Sequence, residues 1–331
     1  MRKNQQENQS IENIIEQVKS GKLLLPEFQR DFKWPIEKTE ILFDSIFREL
    51  FIGSLIISKP KFDLACKGFD LRPRGSRGHK PKPKEWKSRE FEEQNIYTLL
   101  DGQQRVTSIF RALIGVDNIY VIFKDFNTLS SEEYYDKQNG EVKKRFKDYI
   151  EGFDTKPSKH SMYVTIAELY KYSDSRDKKF LEEIFAPIVL QLPIGEENKD
   201  VAEDFLLTLK NDFRSDILKK DSLLSVQLLD MDLESFCLYF ERSNAQGMTL
   251  SFTDIINAKV YIDFKLFREI KVAKDQSLYF RDKLIDPIVR YINYLANNEV
   301  TKKSILSDLR GSHFNKYWEG AIRDLDEVQK W

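Results

Sequence analysis

Five consecutive residues, Asp101-Gly102-Gln103-Gln104-Arg105, gather a carboxylate, two carboxamides and a guanidinium around one glycine. The chemistry open to them is anion binding. Gly102 lets a ligand approach the backbone, Gln103 and Gln104 offer donors and acceptors, and Arg105 can fork onto a phosphate. A helix opening here would add free backbone N–H groups and the positive end of its dipole. The same residues also read as plain local structure, with Asp101 as helix cap and Gln104 at the third helical position.

Two elements must position this turn. Ile96 to Leu100 is a short apolar run of strand formers, the pattern of a buried strand. Beyond the turn, Val106, Ile109, Phe110 and Leu113 recur at helical spacing and mark one apolar face. A tight strand-to-helix connection is expected between them.

Three further stretches are rich in polar chemistry. Residues 25–35, L-P-E-F-Q-R-D-F-K-W-P, combine Pro, Arg, Gln and aromatics and predict an ordered loop. Phe240 to Ser251 joins two helices through a turn holding Asn244 and Gly247, either a plain corner or a hydrogen-bonding site. Residues 72–89 carry eight Lys or Arg against one Glu, with three prolines and two glycines that argue against regular structure. A flexible loop follows, either simply solvated or contacting nucleic-acid phosphate through Arg72, Arg74, Arg77, Lys80, Lys82 and Lys84, helped by Trp86.

The 331 residues, 41% hydrophobic and 32% charged, have room for one large domain or two to three smaller ones. A net charge of −1 excludes a global field that recruits nucleic acid, so any basic surface is local. Two cysteines, Cys66 and Cys237, lack metal-ligand spacing and fit a reducing cytoplasm. The first ten residues hold no apolar signal segment and form a polar, mobile tip, and no run approaches a membrane span. A soluble, cytoplasmic protein without membrane contact is expected.

Along the chain, Ser10 caps a helix with the stripe Ile11, Ile14, Ile15 and Val18, and Lys22 to Leu25 is extended. A helix from Pro35 to about Leu50 turns Ile36, Phe43, Ile46, Phe47 and Leu50 inward, before a strand at Gly53 to Ser58. Ile119 to Phe123 is another buried strand, expected in the same sheet as 54–58 and 96–100. Residues 124–160 read as an insertion, and Thr165 with Glu168 forms a capping box. Helices are expected at 179–188, 201–213 and from Leu233 to Arg242, with a strand at Leu223 to Leu229 returning to the sheet. From Lys265 onward the pattern is helical, with a stripe of Leu284, Ile288, Tyr291, Ile292 and Leu295. The fold class is α/β (α+β): a small mixed sheet followed by a mostly helical C-terminal region. Residues 1–125 would form the first domain, with 61–94 inserted in it, 126–222 a mixed insertion, and 223–331 the returning strand and helices.

Three separated motifs together resemble one family. L-P-E-F-Q-R-D-F-K-W is similar to its I-P-x-Y-Q-R-x-Y-x-W signature, L-L-D-G-Q-Q-R-V-T-S-I to its D-G-Q-Q-R motif, and F-E-R-S-N-A-Q-G-M-T-L-S-F-T-D to F-x-R-x-N-x-x-G-x-x-L-S-x-x-D. The family is the N-terminal domain of GmrSD-type, modification-dependent restriction systems, a branch of the ParB/sulfiredoxin-like fold. The resemblance spans about residues 11–265. It implies nucleotide binding and hydrolysis, with GTP or ATP and Mg²⁺ as cofactors, in defence against phage.

By position, the resemblance makes Asp101, Gln104 and Arg105 catalytic and Asp101 the metal ligand. Gln29, Arg30, Gly102, Gln103, Asn244 and Gly247 would line the nucleotide. It also implies DNA and an HNH-type nuclease as partners, and oligomerisation is left open. The chain's three histidines, His79, His160 and His313, show no His-Asn-His arrangement, so a nuclease would belong to another subunit or a C-terminal extension. No Walker-type G-x-x-x-x-G-K occurs. The rival expectation is a non-catalytic DNA-binding module on a ParB-like fold. A purely structural interaction protein is a third.

Overall fold

The apolar run before the polar turn becomes the central strand of the main sheet. This computed structural model describes residues 5–29, 31–76, 78–123, 150–158, 162–174, 211–233, 252–261, 263–277 and 279–328, with short pieces at 135–136, 141–142, 148, 235–236 and 239. The helices expected at 179–188, at 201–213 apart from its last residues, and from Leu233 to Arg242 apart from isolated positions lie outside the described residues.

The main sheet has seven strands: β1 (Gln5–Asn8), β2 (Leu23–Pro26), β3 (Ser54–Ser58), β4 (Leu64–Lys67), β5 (Lys84–Trp86), β6 (Tyr97–Asp101) and, far along the chain, Ser225–Leu229. The spatial order is β1, Ser225–Leu229, β3, β6, β2, β4, β5, so β6 sits fourth of seven. Pairing is mixed: β6 runs parallel to β2 and antiparallel to β3, which is parallel to the returning strand. Because β2 and β6 are parallel neighbours, their carboxyl ends open side by side, where open α/β sheets place ligands.

Both faces of the sheet are covered, which explains why its central strands are apolar without alternation. Leu23, Leu25, Leu55, Ile57 and Leu99 face one core with α1 (Ile11–Lys19), α2 (Ile36–Phe47) and α4 (Gln103–Leu113). Leu24, Leu64, Cys66 and Leu100 face a second core formed with the C-terminal helices. Those are α6 (Phe252–Val260), α7 (Leu266–Gln276), α8 (Ile285–Asn297), α9 (Lys302–Ser307) and α10 (Gly311–Val328), while α3 (Ser88–Glu93) and α5 (Ile166–Asp174) lie earlier in the chain. The mixed α/β fold with a helical C-terminal region is therefore present. Ser10 caps α1 through the Asn13 amide, and Thr165 and Glu168 form the expected reciprocal box at α5.

Several local expectations are corrected. Gln5–Asn8, expected as a mobile tip, is a strand; it pairs through backbone groups, which side-chain polarity does not report. Ile119 to Phe123 does not join the main sheet: Tyr120–Phe123 is β7, the middle of a separate antiparallel sheet with β8 (Ile150–Asp154) and β9 (Met162–Thr165). An apolar run announces burial, not which sheet it enters. Leu50 is 53% exposed because the chain turns outward at Glu49, whose φ is 59°. On α8 the buried stripe is Ile285, Ile288, Val289 and Ile292, while Tyr291 and Leu295 are exposed and the Tyr291 hydroxyl donates to Asp324.

The basic stretch 72–89 is also corrected: it is pinned, and its Lys84–Trp86 portion is the regular strand β5, paired with β4. The pin is a buried ion cluster. Arg111, on α4, and Arg74 each make two hydrogen bonds to Asp117, at 2.8–3.0 Å. Arg111 also donates to the carbonyls of Asp70 and Arg72, and both guanidiniums lie 5.1 Å from the Phe32 ring. Burial alone would raise the Asp117 carboxyl, but hydrogen bonds from Arg111 and Arg74 outweigh it and hold it below the ordinary carboxylate range.

Two outcomes follow from this cluster. Arg111→Met leaves the buried Asp117 carboxylate with Arg74 alone and takes the donor from the Asp70 and Arg72 carbonyls, and should lower unfolding free energy by about 3 kcal/mol in urea titrations, the low end for removing one partner of a buried ion pair. Because the Asp117 pKa is depressed on folding, its stabilisation is present above the unfolded carboxylate value and lost as pH falls through the folded one. Asp117→Asn should therefore flatten the acid limb of the stability–pH curve, and an unchanged limb would contradict the assignment.

Candidate functional site

Strand β6 ends on Asp101 and α4 begins at Gln103, so the polar turn is the expected tight connection. Its capping differs from expectation. Gly102 is the N-cap, with φ 96° in the left-handed region, and Asp101 belongs to the strand with a side chain 61% exposed. A Cβ on Gly102 would stand 2.3 Å from Leu55 Cδ2, so both conformation and close approach require glycine. The first turn of α4 consequently has no side-chain cap hydrogen bond from its N-cap residue.

The first motif reaches this turn across some seventy residues of sequence. Gln29 Nε2 donates to the carbonyls of Leu99, at 2.7 Å, and Leu100, at 3.0 Å. In return, Gln104 Oε1 accepts from the amides of Lys33 (2.9 Å) and Trp34 (3.1 Å), while its Nε2 donates to the Asp31 carbonyl at 3.2 Å. The Gln104 carboxamide is thus occupied in holding loop 31–34 against α4. Arg30, Asn244 and Gly247 lie outside the described residues.

Arg105 is engaged with backbone. Its Nη1 donates to the Ile52 carbonyl and its Nη2 to the Ser54 carbonyl, both at 2.8 Å. A Cβ on Gly53, whose φ is 105°, would fall 2.2 Å from Arg105 Nη1. The guanidinium therefore clamps the start of β3 in a space kept open by Gly53. It stands 3.6 Å from Asp101, the loosest of its polar contacts.

A second polar group on the same sheet end carries no signature in the sequence. Glu27 is partly buried; burial raises its carboxyl, against Lys67, Lys265 and a hydrogen bond from Asn257, with Asp254 adding to the rise. Burial lowers Lys67, whose ammonium donates to the Gln29 carbonyl at 2.6 Å. Asn257, on α6, is buried and joins the third motif's helix to the first motif. A carboxylate between Pro26 and Phe28 was the only available hint, and it is ambiguous.

The basic residues divide into two sets. Arg72 pairs with Asp70, Arg74 with Asp117, and Lys80 with Asp31, so these contacts are internal. Lys82 and Lys84 are exposed, and the Lys84 ammonium stacks 3.9 Å over the Trp86 ring. Arg77 lies outside the described residues. Among the described residues, no group of three or more His, Cys, Asp or Glu could hold a metal ion, and no helix is long and apolar enough to cross a membrane.

Over most of its length the chain matches a family of restriction-system components. The chain belongs to the family described as GmrSD restriction endonuclease, N-terminal domain, which matches residues 11–261. It is also similar to an uncharacterized protein of Methanocaldococcus jannaschii, 27% identical over 134 residues, covering 38% of this chain and 22% of that protein.

The clamp geometry makes a stability prediction. Arg105→Ala removes two charge-assisted hydrogen bonds to carbonyls and should cost about 2–4 kcal/mol of unfolding free energy. Arg105→Lys, with one compact ammonium, should recover only part of it. A change below about 0.5 kcal/mol in Arg105→Ala, the range of an ordinary surface substitution, would show that the clamp is dispensable.

Proposed function

We propose that the chain is a nucleotide-binding, NTP-hydrolysing regulatory component of a DNA-targeting restriction system. The nucleotide would bind where β2 and β6 end and α4 begins. The observation that carries this reading is the meeting of the Gln29–Trp34 and Leu99–Arg105 segments through hydrogen bonds that span seventy residues. A rigid frame at the carboxyl end of the central strand is what phosphoryl transfer needs, since positioning and electrostatics dominate it.

In this reading the five turn residues divide their labour. The first turn of α4 faces the phosphates, and Gly102 lets them approach. The Asp101 carboxylate, exposed and only loosely tied to Arg105, fits a Mg²⁺ ion held by one carboxylate together with substrate phosphates. That ion, when bound, would neutralise charge developing between the phosphates. Gln104 and Arg105 act by positioning, because their polar atoms already hold loop 31–34 and the start of β3. A ParB/sulfiredoxin-like ancestry, a cytoplasmic setting and an HNH-type nuclease partner belong to the same proposal.

The second reading is a DNA-binding module without turnover. It is favoured by the exposed Lys82 and Lys84 beside Trp86, a cation and ring suited to phosphate and base. Phosphate release from the four NTPs, with and without Mg²⁺ and modified DNA, separates the two. The proposal predicts Mg²⁺-dependent release that falls at least about tenfold in Asp101→Asn, a general-electrostatics loss, with an unchanged thermal midpoint. No release from any NTP, together with salt-sensitive DNA binding, would favour the second reading.

A further inference from the structure

A cleft lies between α1 and the sheet, at the amino end of β6 and so at the opposite end of that strand from the turn 101–105. It holds about 330 Å³, within the range of small-ligand sites. Its floor is apolar: Ile57 and Val226 are buried in the core beneath it, with Leu228 packed beside them. Around that floor stand Glu7 from β1, Gln9, Gln17 from α1, Lys22 and Asn95. None of these takes part in the proposed nucleotide site.

These side chains keep bonding capacity in reserve. Among the described residues, Glu7 and Lys22 form no ion pair with each other or with a third group, although both border the same space. By contrast, Lys274 and Asp282, which line a cleft of similar size beside α7, pair directly at 2.5 Å. Gln17 Nε2 donates to Gln9 Oε1 at 3.2 Å, which leaves an amide donor on Gln9 and a carbonyl on Gln17. Asn95 Oδ1 accepts from the Lys59 ammonium at 2.8 Å and from the Tyr97 hydroxyl at 3.0 Å, so its NH₂ group is the end left over. The apolar floor is therefore ringed by one carboxylate, one ammonium and unspent amide groups of both kinds.

The geometry points to a binding site for a short peptide with free termini, its ammonium end on Glu7 and its carboxylate end on Lys22. Charge selects the class, because one carboxylate and one ammonium suit a zwitterion and disfavour a polyanion. The carboxamides of Gln9, Gln17 and Asn95 match the donors and acceptors of peptide bonds. Alternate side chains of an extended peptide would rest on Ile57, Val226 and Leu228. Spacing sets the length. Three strands stand between β1 and β2, so Glu7 and Lys22, which precedes β2, are anchored roughly 19 Å apart across the sheet. Both side chains line the space between and shorten that gap. A free amino acid, with charges about 3 Å apart, cannot bridge what remains, whereas three extended residues span about 10 Å. The site stands whether or not a nucleotide binds at the other end of β6.

The probe is the tripeptide Leu-Ala-Leu, titrated into the full chain by calorimetry in three forms: with free termini, N-acetylated and C-amidated. The free form should bind with a Kd below about 1 mM, and each block should weaken binding about fivefold or more. Glu7→Gln should lose only the preference for a free amino end, and Lys22→Met only the preference for a free carboxyl end. Both positions are exposed, so neither change disturbs the core. The side-chain amide resonances of Gln9, Gln17 and Asn95 should shift with the free tripeptide and stay unmoved with leucine alone at the same concentration. No binding of the free tripeptide up to about 5 mM overturns the proposal. So do equal affinities for blocked and free forms, variants that keep both preferences, or shifts confined to other residues.

Discussion

One constraint governs the site: polar groups buried between the sheet and α4 must find partners, and those partners come from segments remote in sequence. Helix α4 grips loop 31–34 at two levels. Gln104, in its first turn, takes the amides of Lys33 and Trp34 and the carbonyl of Asp31. Arg111, in its last, shares Asp117 with Arg74 and flanks Phe32. Arg74 in turn donates to the Trp34 carbonyl. The loop is therefore fixed by a helix whose own start is the polar turn, so the two motifs cannot move independently. That rigidity suits a site whose catalytic power would come from preorganised dipoles.

The same constraint redistributes roles among residues that look alike in sequence. Gln29, Gln104 and Arg105 are all hydrogen-bonding residues in conspicuous motifs, yet each spends most of its capacity on backbone. Asp101 does not, because the left-handed turn at Gly102 leaves its side chain on the solvent side of the strand end. The frame and the exposed carboxylate are thus supplied by neighbouring residues. A motif scan weights them equally, while the geometry separates those that support from those that face outward.

How much of this was legible beforehand depends on the range of the interaction. The strand–turn–helix at 97–113, the Ser10 cap and the Thr165–Glu168 box were readable, because each rests on spacing within a few residues. The strand Ser225–Leu229 was placed correctly from its apolar pattern and position. The pinning of 72–89 was not readable: eight cations predict a solvated loop unless one knows that Asp117 and Asp70 lie beneath two of them. Nor was β7's separate sheet, since pairing partners at 150–154 and 162–165 leave no mark on the run itself. Arg111 gave the faintest signal, an arginine between the buried Phe110 and Ala112, and it proved the most completely buried charge in the helix. Glu27 and Lys67 were invisible as a pair because forty residues separate them.

Amide hydrogen exchange, followed residue by residue with and without a non-hydrolysable NTP and Mg²⁺, tests the central claim most directly. A nucleotide seated at the carboxyl end of β6 should protect the amides of Gln103, Gln104 and Arg105, which open α4, and slow exchange in loop 31–34, which Gln104 holds. Protection confined to other parts of the chain, or exchange at 101–105 indifferent to saturating nucleotide, would contradict it.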